Sequence, residues 1–505
     1  MDEDNLESFS DDQLWAILGE SENEVKVEIL TILYDRANNS GEYAKAATLA
    51  EQISTEAAAC MSNTMVENAY YKQGLAFWKA ERFEEAIDAF NRGISQYEEP
   101  DSKIELTKNQ WGVASSLHNL DKFEDSAKWA NLSATTAVAE EAFSLAGISK
   151  FLEAQSLYLA DRDMEALEAC EVARRYRRQE QELKEVATID AYMASIHAYS
   201  GNYDKAVDLL RNCLVLAEAT SDSISYYSYR LGNALIDQGH YQEARSHLER
   251  ARKGYEENDD HSSLAECFYS LCLTYRQEDE VSLALSNVRS AISLWDALGN
   301  DHSYLKGLEK LSILLFNEDL DGAIEINQRI LDFIGNPNSD YEKGVYGWAL
   351  LRLVDCLRQR GEFETALSLI QATDLFGINS KHSGKNWHYS LKARILYALS
   401  RHEEAMGVAD TALSQTSDED VNSQTAYLYE IKARVSLELN RPDKERHLAH
   451  AIALHLAFGE TRLARELSEY FKPKFTPIAE DQITSQTMDS IELIDNATPA
   501  STSGL

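Results

Sequence analysis

The sequence predicts an all-α fold, a solenoid of ten to eleven antiparallel helix pairs, and three observations support this prediction. Proline is scarce, with 6 residues in 505, and proline disrupts the interior of helices. A short phrase of the form Gly-x-aromatic-x-x-Ala recurs along the chain about every 40 residues. The apolar residues around each phrase stand three and four positions apart, which is the spacing of one helix face.

The recurring phrase sets the phase of the repeat. Clear copies begin with a glycine and carry a tyrosine or phenylalanine two residues later, whereas four weaker copies lose the aromatic but keep the alanine. The aromatic position falls at residues 43, 83, 123, 163, 203, 241, 281, 320, 363 and 402, and a degenerate eleventh copy falls at 442. A spacing this regular over ten copies indicates one structural unit per copy.

Each phrase is predicted to join two helices. Gly239 ends the first helix, because glycine readily adopts the left-handed backbone conformation of a helix C-terminus. Tyr241 fills the corner, and Ala244 lets the second helix pack close to the first. Leu231 before the turn and Leu248 after it stand at helical spacing from these residues and extend the buried stripe.

This pattern resembles the tetratricopeptide repeat family. The residues that match its helix–turn–helix pattern are Leu231, Gly232, Gly239, Tyr241, Ala244 and Ala251, and the resemblance covers residues 24–455. The period departs from that of the family, about 40 residues rather than 34, and longer helices would account for the difference. The resemblance implies a right-handed superhelix whose first helices line a concave, ligand-binding surface.

The two ends of the chain differ from the repeats. Ser10 and Gln13 have the spacing of a capping box that opens a short helix ending at Leu18. We therefore expect an acidic N-terminus with a capping helix at residues 1–23, followed by the solenoid at 24–471. Residues 472–505 are predicted to be a disordered tail, because Thr, Ser and Asp dominate there.

The charge balance argues against two classes of partner. The chain has 48 Lys and Arg against 85 Asp and Glu, a net charge of −37, whereas nucleic acids and anionic membranes are bound by fields of Lys and Arg. No apolar run approaches the length of a membrane span, and the acidic start is unlike a signal peptide. The six cysteines form no CxxC pair, which is typical of a reducing compartment. We expect a cytoplasmic protein that binds neither nucleic acid nor membrane.

Motifs for catalysis are missing from the sequence, which contains no GxGxxG, GxSxG or HExxH. His447, His450 and His455 lie close together, but no third metal ligand is placed near them, so helix packing is the favoured interpretation. The basic run at residues 174–178 could serve as a docking patch or a localisation signal. The favoured interpretation is the C-terminal end of a helix, where positive charge interacts favourably with the helix dipole. We expect no enzymatic activity, no cofactor and no metal.

The first helix of each pair is expected to carry the binding residues. Positions 15, 12, 8 and 5 before the aromatic mark share one face, whereas positions 13, 10, 9 and 6 form the buried stripe. The exposed face is rich in aromatic rings and in Arg, the residues that peptide-binding surfaces enrich. The predicted partner-binding residues are Tyr226, Tyr229, Asn233, Tyr269, Trp348, Arg358, Trp387, Arg394, Tyr427 and Arg434, with Arg276 on the same face. The alternative is that these side chains pack between repeats.

Two functions fit these observations. The first is a non-catalytic scaffold or adaptor that binds a peptide or protein segment along the concave groove. The second is a ligand-responsive regulator that changes shape to control an effector. No effector domain is visible outside the repeats, which favours the scaffold. The oligomeric state and the identity of the partner are left open.

Overall fold

A computed structural model describes residues 3–19, 21–60, 63–97, 103–373, 381–416 and 421–471. These residues form helices joined by short turns, and no β-strand occurs among them. The predicted tail at 472–505 lies outside the described residues. The chain divides into two compact units, Met1–Asp259 and Asp260–Leu505. Among the described helices, none combines the length and the apolar character that a membrane span requires.

Unit 1 contains a capping helix and six helix pairs. After a 3-10 helix at Glu3–Ser8, its helices are α1 (Asp11–Leu18), α2 (Asn23–Asn39), α3 (Tyr43–Cys60), α4 (Asn63–Lys79), α5 (Phe83–Ser95), α6 (Ile104–Asn119), α7 (Phe123–Ala139), α8 (Phe143–Leu159), α9 (Asp163–Gln179), α10 (Leu183–Tyr199), α11 (Tyr203–Thr220), α12 (Ile224–Gln238) and α13 (Tyr241–Glu257). Within the unit, each helix packs against the next one along the chain.

Unit 2 contains five further pairs and a closing helix in its described residues. Its helices are α14 (His261–Gln277), α15 (Val281–Ala297), α16 (Asp301–Glu318), α17 (Leu320–Ile334), α18 (Asp340–Arg360), α19 (Phe363–Thr373), α20 (Lys381–Ala398), α21 (His402–Ser414), α22 (Ser423–Glu438), α23 (Lys444–Ala457) and α24 (Thr461–Phe471). Every one of the ten predicted marks is the first residue of the second helix of a pair. The prediction of an all-α solenoid of helix pairs is confirmed.

The turn inside each pair follows the predicted chemistry. Gly239 has a φ of 84°, and the backbone amides of Gly239 and His240 donate to the carbonyls of Ile236 and Leu235, which is the hydrogen-bond pattern of a Schellman motif. In six copies that lack the glycine, a non-glycine residue takes the same left-handed conformation. These residues are Glu81, Asp121, Asp161, Asp279, Ser400 and Asn440, with φ between 49° and 62°. Asp319 before Leu320 is instead extended, with a φ of −147°.

A second set of turns, between one pair and the next, was not predicted. Glu141, Gln181 and Ser221 have positive φ as well, so left-handed turns recur every 20 residues from Asp121 to Ser221. These turns lack glycine. Phe143 and Ala146 follow Glu141 as in the phrase, but Gln181 and Ser221 are not followed by the aromatic, so the phrase does not recur regularly between pairs. Unit 1 is therefore more regular than the 40-residue period suggested.

The capping helix completes the first core of unit 1. The side chain of Ser10 accepts from the amide of Gln13, and the side chain of Gln13 accepts from the amide of Ser10, as a capping box requires. Leu14 of α1 is fully buried in the same apolar cluster as Ile29 and Leu33 of α2. The helix thus covers apolar surface that the first pair would otherwise expose.

Candidate functional site

The predicted binding residues of unit 2 lie on the first helices of four of its five pairs, α14, α18, α20 and α22. Together with neighbouring charged residues they form a set of half-buried or buried side chains that runs from one first helix to the next. We call this set the first-helix row. Its members are Tyr269, Arg276, Lys306, Glu309, Lys310, Trp348, Arg352, Arg358, Trp387, Arg394, Tyr427 and Arg434.

The row begins with charged contacts between α14, α16 and α18. The ammonium of Lys306 lies 4.2 Å from the ring centroid of Tyr269, a cation–π contact. Between α16 and α18, Nη1 of Arg352 lies 3.5 Å from Oε1 of Glu309. Both contacts join the first helix of one pair to the first helix of the next.

Aromatic contacts continue the row toward the end of unit 2. The indole rings of Trp348 and Trp387 lie 5.5 Å apart and join α18 to α20. The guanidinium of Arg394 lies 4.5 Å from the ring centroid of Tyr427 on α22. Arg434 on α22 pairs with Glu430 at 2.8 Å and lies 4.6 Å from the ring centroid of Tyr470, on α24. These side chains therefore both pack between repeats and keep part of their surface exposed.

Positive charge in the row exceeds the carboxylates that face it. Arg358 pairs with Asp355 at 2.6 Å, but Arg276, Lys310 and Arg394 make no ion pair with a carboxylate among the described residues. Since unpaired buried charge is unfavourable, the row is electrostatically strained in a way that an anion would relieve.

The pKa shifts in the row have the same cause. Burial lowers the pKa of Lys310, the positive charges of Arg276 and Arg352 lower it further, and the carboxylate of Glu309 offsets only part of this shift. Burial also lowers the pKa of Arg352 and raises the pKa of its partner Glu309. Lost hydration therefore outweighs the attraction between the two groups.

Arg394 has the same environment at the other end of the row. Burial lowers the pKa of its guanidinium, and the nearby charge of Arg358 adds to the effect. The ring of Tyr427 supplies apolar contact, and the carboxylates of Asp355 and Glu430 raise the pKa of Arg394 only in part. Two groups of like charges, around Lys310 and around Arg394, are thus held on the first helices of unit 2.

The three predicted residues of unit 1 occupy different environments. Tyr226 is 44% exposed, and its hydroxyl accepts from Arg230 at 2.7 Å. Tyr229 is half-buried and contacts Tyr255 of α13, with ring centroids 6.4 Å apart. Asn233 is half-buried on α12. Of the three, only Tyr226 presents a large part of its ring to solvent.

Several charged members of the row were not predicted. Lys306, Glu309, Lys310 and Arg352 lie outside the positions assigned to the binding face. Lys310 stands ten residues before its mark, at a position assigned to the buried stripe. A lysine at a position that carries leucine in other copies, such as Leu231, was the signal that could have revealed it.

The clustered histidines each have a separate partner. His447 is buried with Nδ1 3.3 Å from the hydroxyl of Ser436, and Nδ1 of His450 lies 2.8 Å from the carbonyl of Arg446. His455 contacts carboxylates rather than the other two rings. No group of three metal-binding side chains occurs in the part of the chain that the model describes.

The basic run on α9 contributes to the interior of unit 1. Arg174 donates to the buried carboxylate of Asp190 at 2.9 Å, and Arg178 lies 4.0 Å from the same carboxylate. Arg177 donates to Ser144 at 3.2 Å and pairs with Glu182. Three of the four arginines of the run are thus engaged within the unit.

Comparisons with known proteins identify the repeat. Residues 67–100 and 185–257 match family models described as tetratricopeptide repeat. No curated protein matches the chain in sequence.

Several solved structures align with the chain at low identity. A signal transduction ATPase with a tetratricopeptide repeat sensor from Pyrococcus horikoshii is 12% identical, with 69% of this chain and 50% of that chain covered and a TM-score of 0.46. A Rap protein complexed with competence and sporulation factor is 14% identical, with coverages of 70% and 98% and a TM-score of 0.38. The C-terminal part of a repeat-containing protein from Cytophaga hutchinsonii is 15% identical, with coverages of 54% and 97% and a TM-score of 0.41. These TM-scores are low, so the matched segments at 67–100 and 185–257 are the evidence for tetratricopeptide repeats in this chain.

Proposed function

We propose that this chain, a tetratricopeptide repeat protein, is a non-catalytic scaffold or adaptor that binds a peptide or protein segment along the groove formed by its first helices. The first-helix row is the observation that carries the proposal. It combines aromatic rings with guanidinium and ammonium groups, and such side chains dominate the binding energy of protein interfaces. In this proposal the protein acts in the cytoplasm and binds neither nucleic acid nor membrane.

Half-buried side chains suit this role for a physical reason. The rings of Trp348 and Trp387 are already held by each other, so little conformational entropy is lost when a ligand covers them. The guanidinium of Arg394 is held in the same way by Tyr427. Pre-organised groups of this kind contribute more to affinity than mobile surface side chains.

The experiment compares partners retained by variants of the full chain. Trp348→Ala combined with Trp387→Ala removes the stacked pair from the row, whereas Tyr199→Ala removes a ring that is 83% exposed on α10 of unit 1. Mass spectrometry of proteins captured from a cell extract should show a set retained by the wild type and by Tyr199→Ala, and lost from the double variant. An identical set with all three would contradict the proposal.

The regulatory alternative has its own measurement. A ligand-responsive regulator changes shape when it binds, so small-angle scattering with a captured partner should show an altered radius of gyration of the chain. A scaffold keeps its radius.

A further inference from the structure

The first-helix row leads to the point where the described chain ends. Arg434, its last member, lies 4.6 Å from the ring centroid of Tyr470, and α24 ends at Phe471. Residues 472–505 follow directly. Whatever segment they contain is tethered beside the row and is present there at high local concentration.

The row is suited to an acidic ligand. Arg276, Lys310 and Arg394 have no carboxylate partner among the described residues, although the chain as a whole carries a charge of −37. A ligand carboxylate would pair with them and offset their lost hydration. Trp348 and Trp387 lie between Lys310 and Arg394 along the chain, and their rings would contact apolar side chains of the same ligand.

A segment of matching composition follows α24 in the sequence. Residues 488–495 read Met-Asp-Ser-Ile-Glu-Leu-Ile-Asp, with acidic residues Asp489, Glu492 and Asp495 three positions apart and three large aliphatic residues between them. The charge and the apolar residues of this segment are therefore complementary to the cations and the aromatic rings of the row.

We propose that residues 488–495 of this chain dock on the first-helix row of unit 2, with their acidic side chains paired to its cations. Residues 472–487 can span up to about 55 Å when extended. The first helices of unit 2 succeed one another at intervals of about 10 Å, so the segment reaches the row from α24. The inference rests on the proposed function, because a partner that binds the row must then displace the segment.

The test uses the full chain and a labelled peptide of residues 485–498. In one variant, Asp489→Asn, Glu492→Gln and Asp495→Asn neutralise the tethered segment. This variant should bind the free peptide at least tenfold more tightly than the wild type, since its own segment no longer competes. Binding should weaken as salt is added, because ion pairs are screened.

Site variants are made in the neutralised background. Lys310→Gln should weaken peptide binding at least fivefold while leaving the unfolding midpoint unchanged or higher, because Lys310 makes no ion pair in the fold. Lys128→Gln is the matched control, since Lys128 is an exposed lysine on α7 of unit 1. It should bind the peptide as tightly as its parent.

Each contrary result overturns the inference. The first is that the peptide does not bind to the neutralised variant at low salt. The second is that the neutralised and wild-type chains bind the peptide with equal affinity. The third is that Lys310→Gln and Lys128→Gln weaken peptide binding equally. If these results occur while the double variant Trp348→Ala with Trp387→Ala still loses captured partners, the docking inference fails and the proposed function holds. If the peptide binds as expected and no partner depends on the row, the proposed function fails instead.

Discussion

Asp190 of unit 1 differs from Lys310 and Arg394 of unit 2 in how its charge is paired. In unit 1, Asp190 is completely buried and is paired with Arg174 at 2.9 Å and with the amide of Asn212 at 2.6 Å. In unit 2, Lys310 and Arg394 are largely buried without a carboxylate partner among the described residues. The carboxylate of Asp190 thus stabilises unit 1, whereas the charges of Lys310 and Arg394 lower the stability of unit 2. Groups that a fold retains at a cost to stability are the first candidates for binding.

The cores differ as well. Unit 2 has one large apolar cluster that extends from Ala265 to Val435, with Trp295 almost completely buried, and a small one around Phe471. Unit 1 has several smaller clusters, and buried serines bond across its helices, with Ser126 and Ser156 2.8 Å apart. Small side chains let the regular helices of unit 1 approach closely, but each buried hydroxyl then needs a hydrogen-bond partner.

The largest effect is expected from Asp190→Ala in unit 1. The substitution leaves Arg174 and Asn212 without the carboxylate they share, and breaking a buried pair from one side costs about 3 kcal/mol. Urea unfolding measures the loss. Asp208→Ala, at a residue that is 79% exposed beside Arg211, should change stability by less than about 0.5 kcal/mol. Similar losses in both variants would show that the pairing of Asp190 does not stabilise unit 1.

The energetic cost of backbone strain at left-handed turns can be tested with one substitution in each unit. Gly239→Val should cost about 1–3 kcal/mol, because a β-branched residue is strained at a φ of 84°. The space beside Gly239 is open, so the cost comes from the backbone alone. Asp279→Gly at the corresponding turn of unit 2 should instead gain up to about 1 kcal/mol. If the urea midpoint fell in both variants, backbone strain would not be the cause.

Lys310→Met should stabilise unit 2 by about 1 kcal/mol, because it removes a buried cation that has like charges around it and no ion-pair partner. Chemical denaturation with the variant and the wild type measures the difference. Lys128→Met, at the exposed lysine of unit 1, should have no effect within error. A destabilised Lys310→Met variant would mean that unit 2 uses this charge for its own stability.

The smallest expected effect is a pH dependence in unit 2. Burial alone would lower the pKa of His455, but the carboxylates of Glu460 and Glu430, 2.6 and 3.5 Å from its ring nitrogens, raise it above its usual value near 6.5. Protonated His455 therefore contributes its full stability below pH 6.5, and the contribution is lost as the pH rises through the folded-state pKa. The stability difference between wild type and His455→Gln should be largest below pH 6.5 and should narrow above that pKa. Parallel pH profiles of stability for the wild type and His455→Gln would contradict this prediction.

The phase of the repeat was predictable because its determinants are local. Gly239, Tyr241 and Ala244 act within one turn, so a short stretch of sequence is enough to predict where the turn lies. Where the turn lost its glycine, as at Asp161, the alanine three positions after the mark still revealed it. The turns between pairs escaped prediction because Glu141 and Gln181 adopt the left-handed conformation without a residue type that announces it.

The sequence by itself determined the helical class, a count of ten to eleven helix pairs and the positions of the turns within them, since these depend on residues within a few positions of each other. The tertiary structure alone decided which charges are paired. Asp190 meets Arg174 from 16 positions away, and Glu309 meets Arg352 from 43. Whether Lys310 is buried beside Arg276 depends on how successive first helices pack. No local pattern encodes that proximity. The repulsion between the two cations becomes large only when the packing of both helices removes them from water.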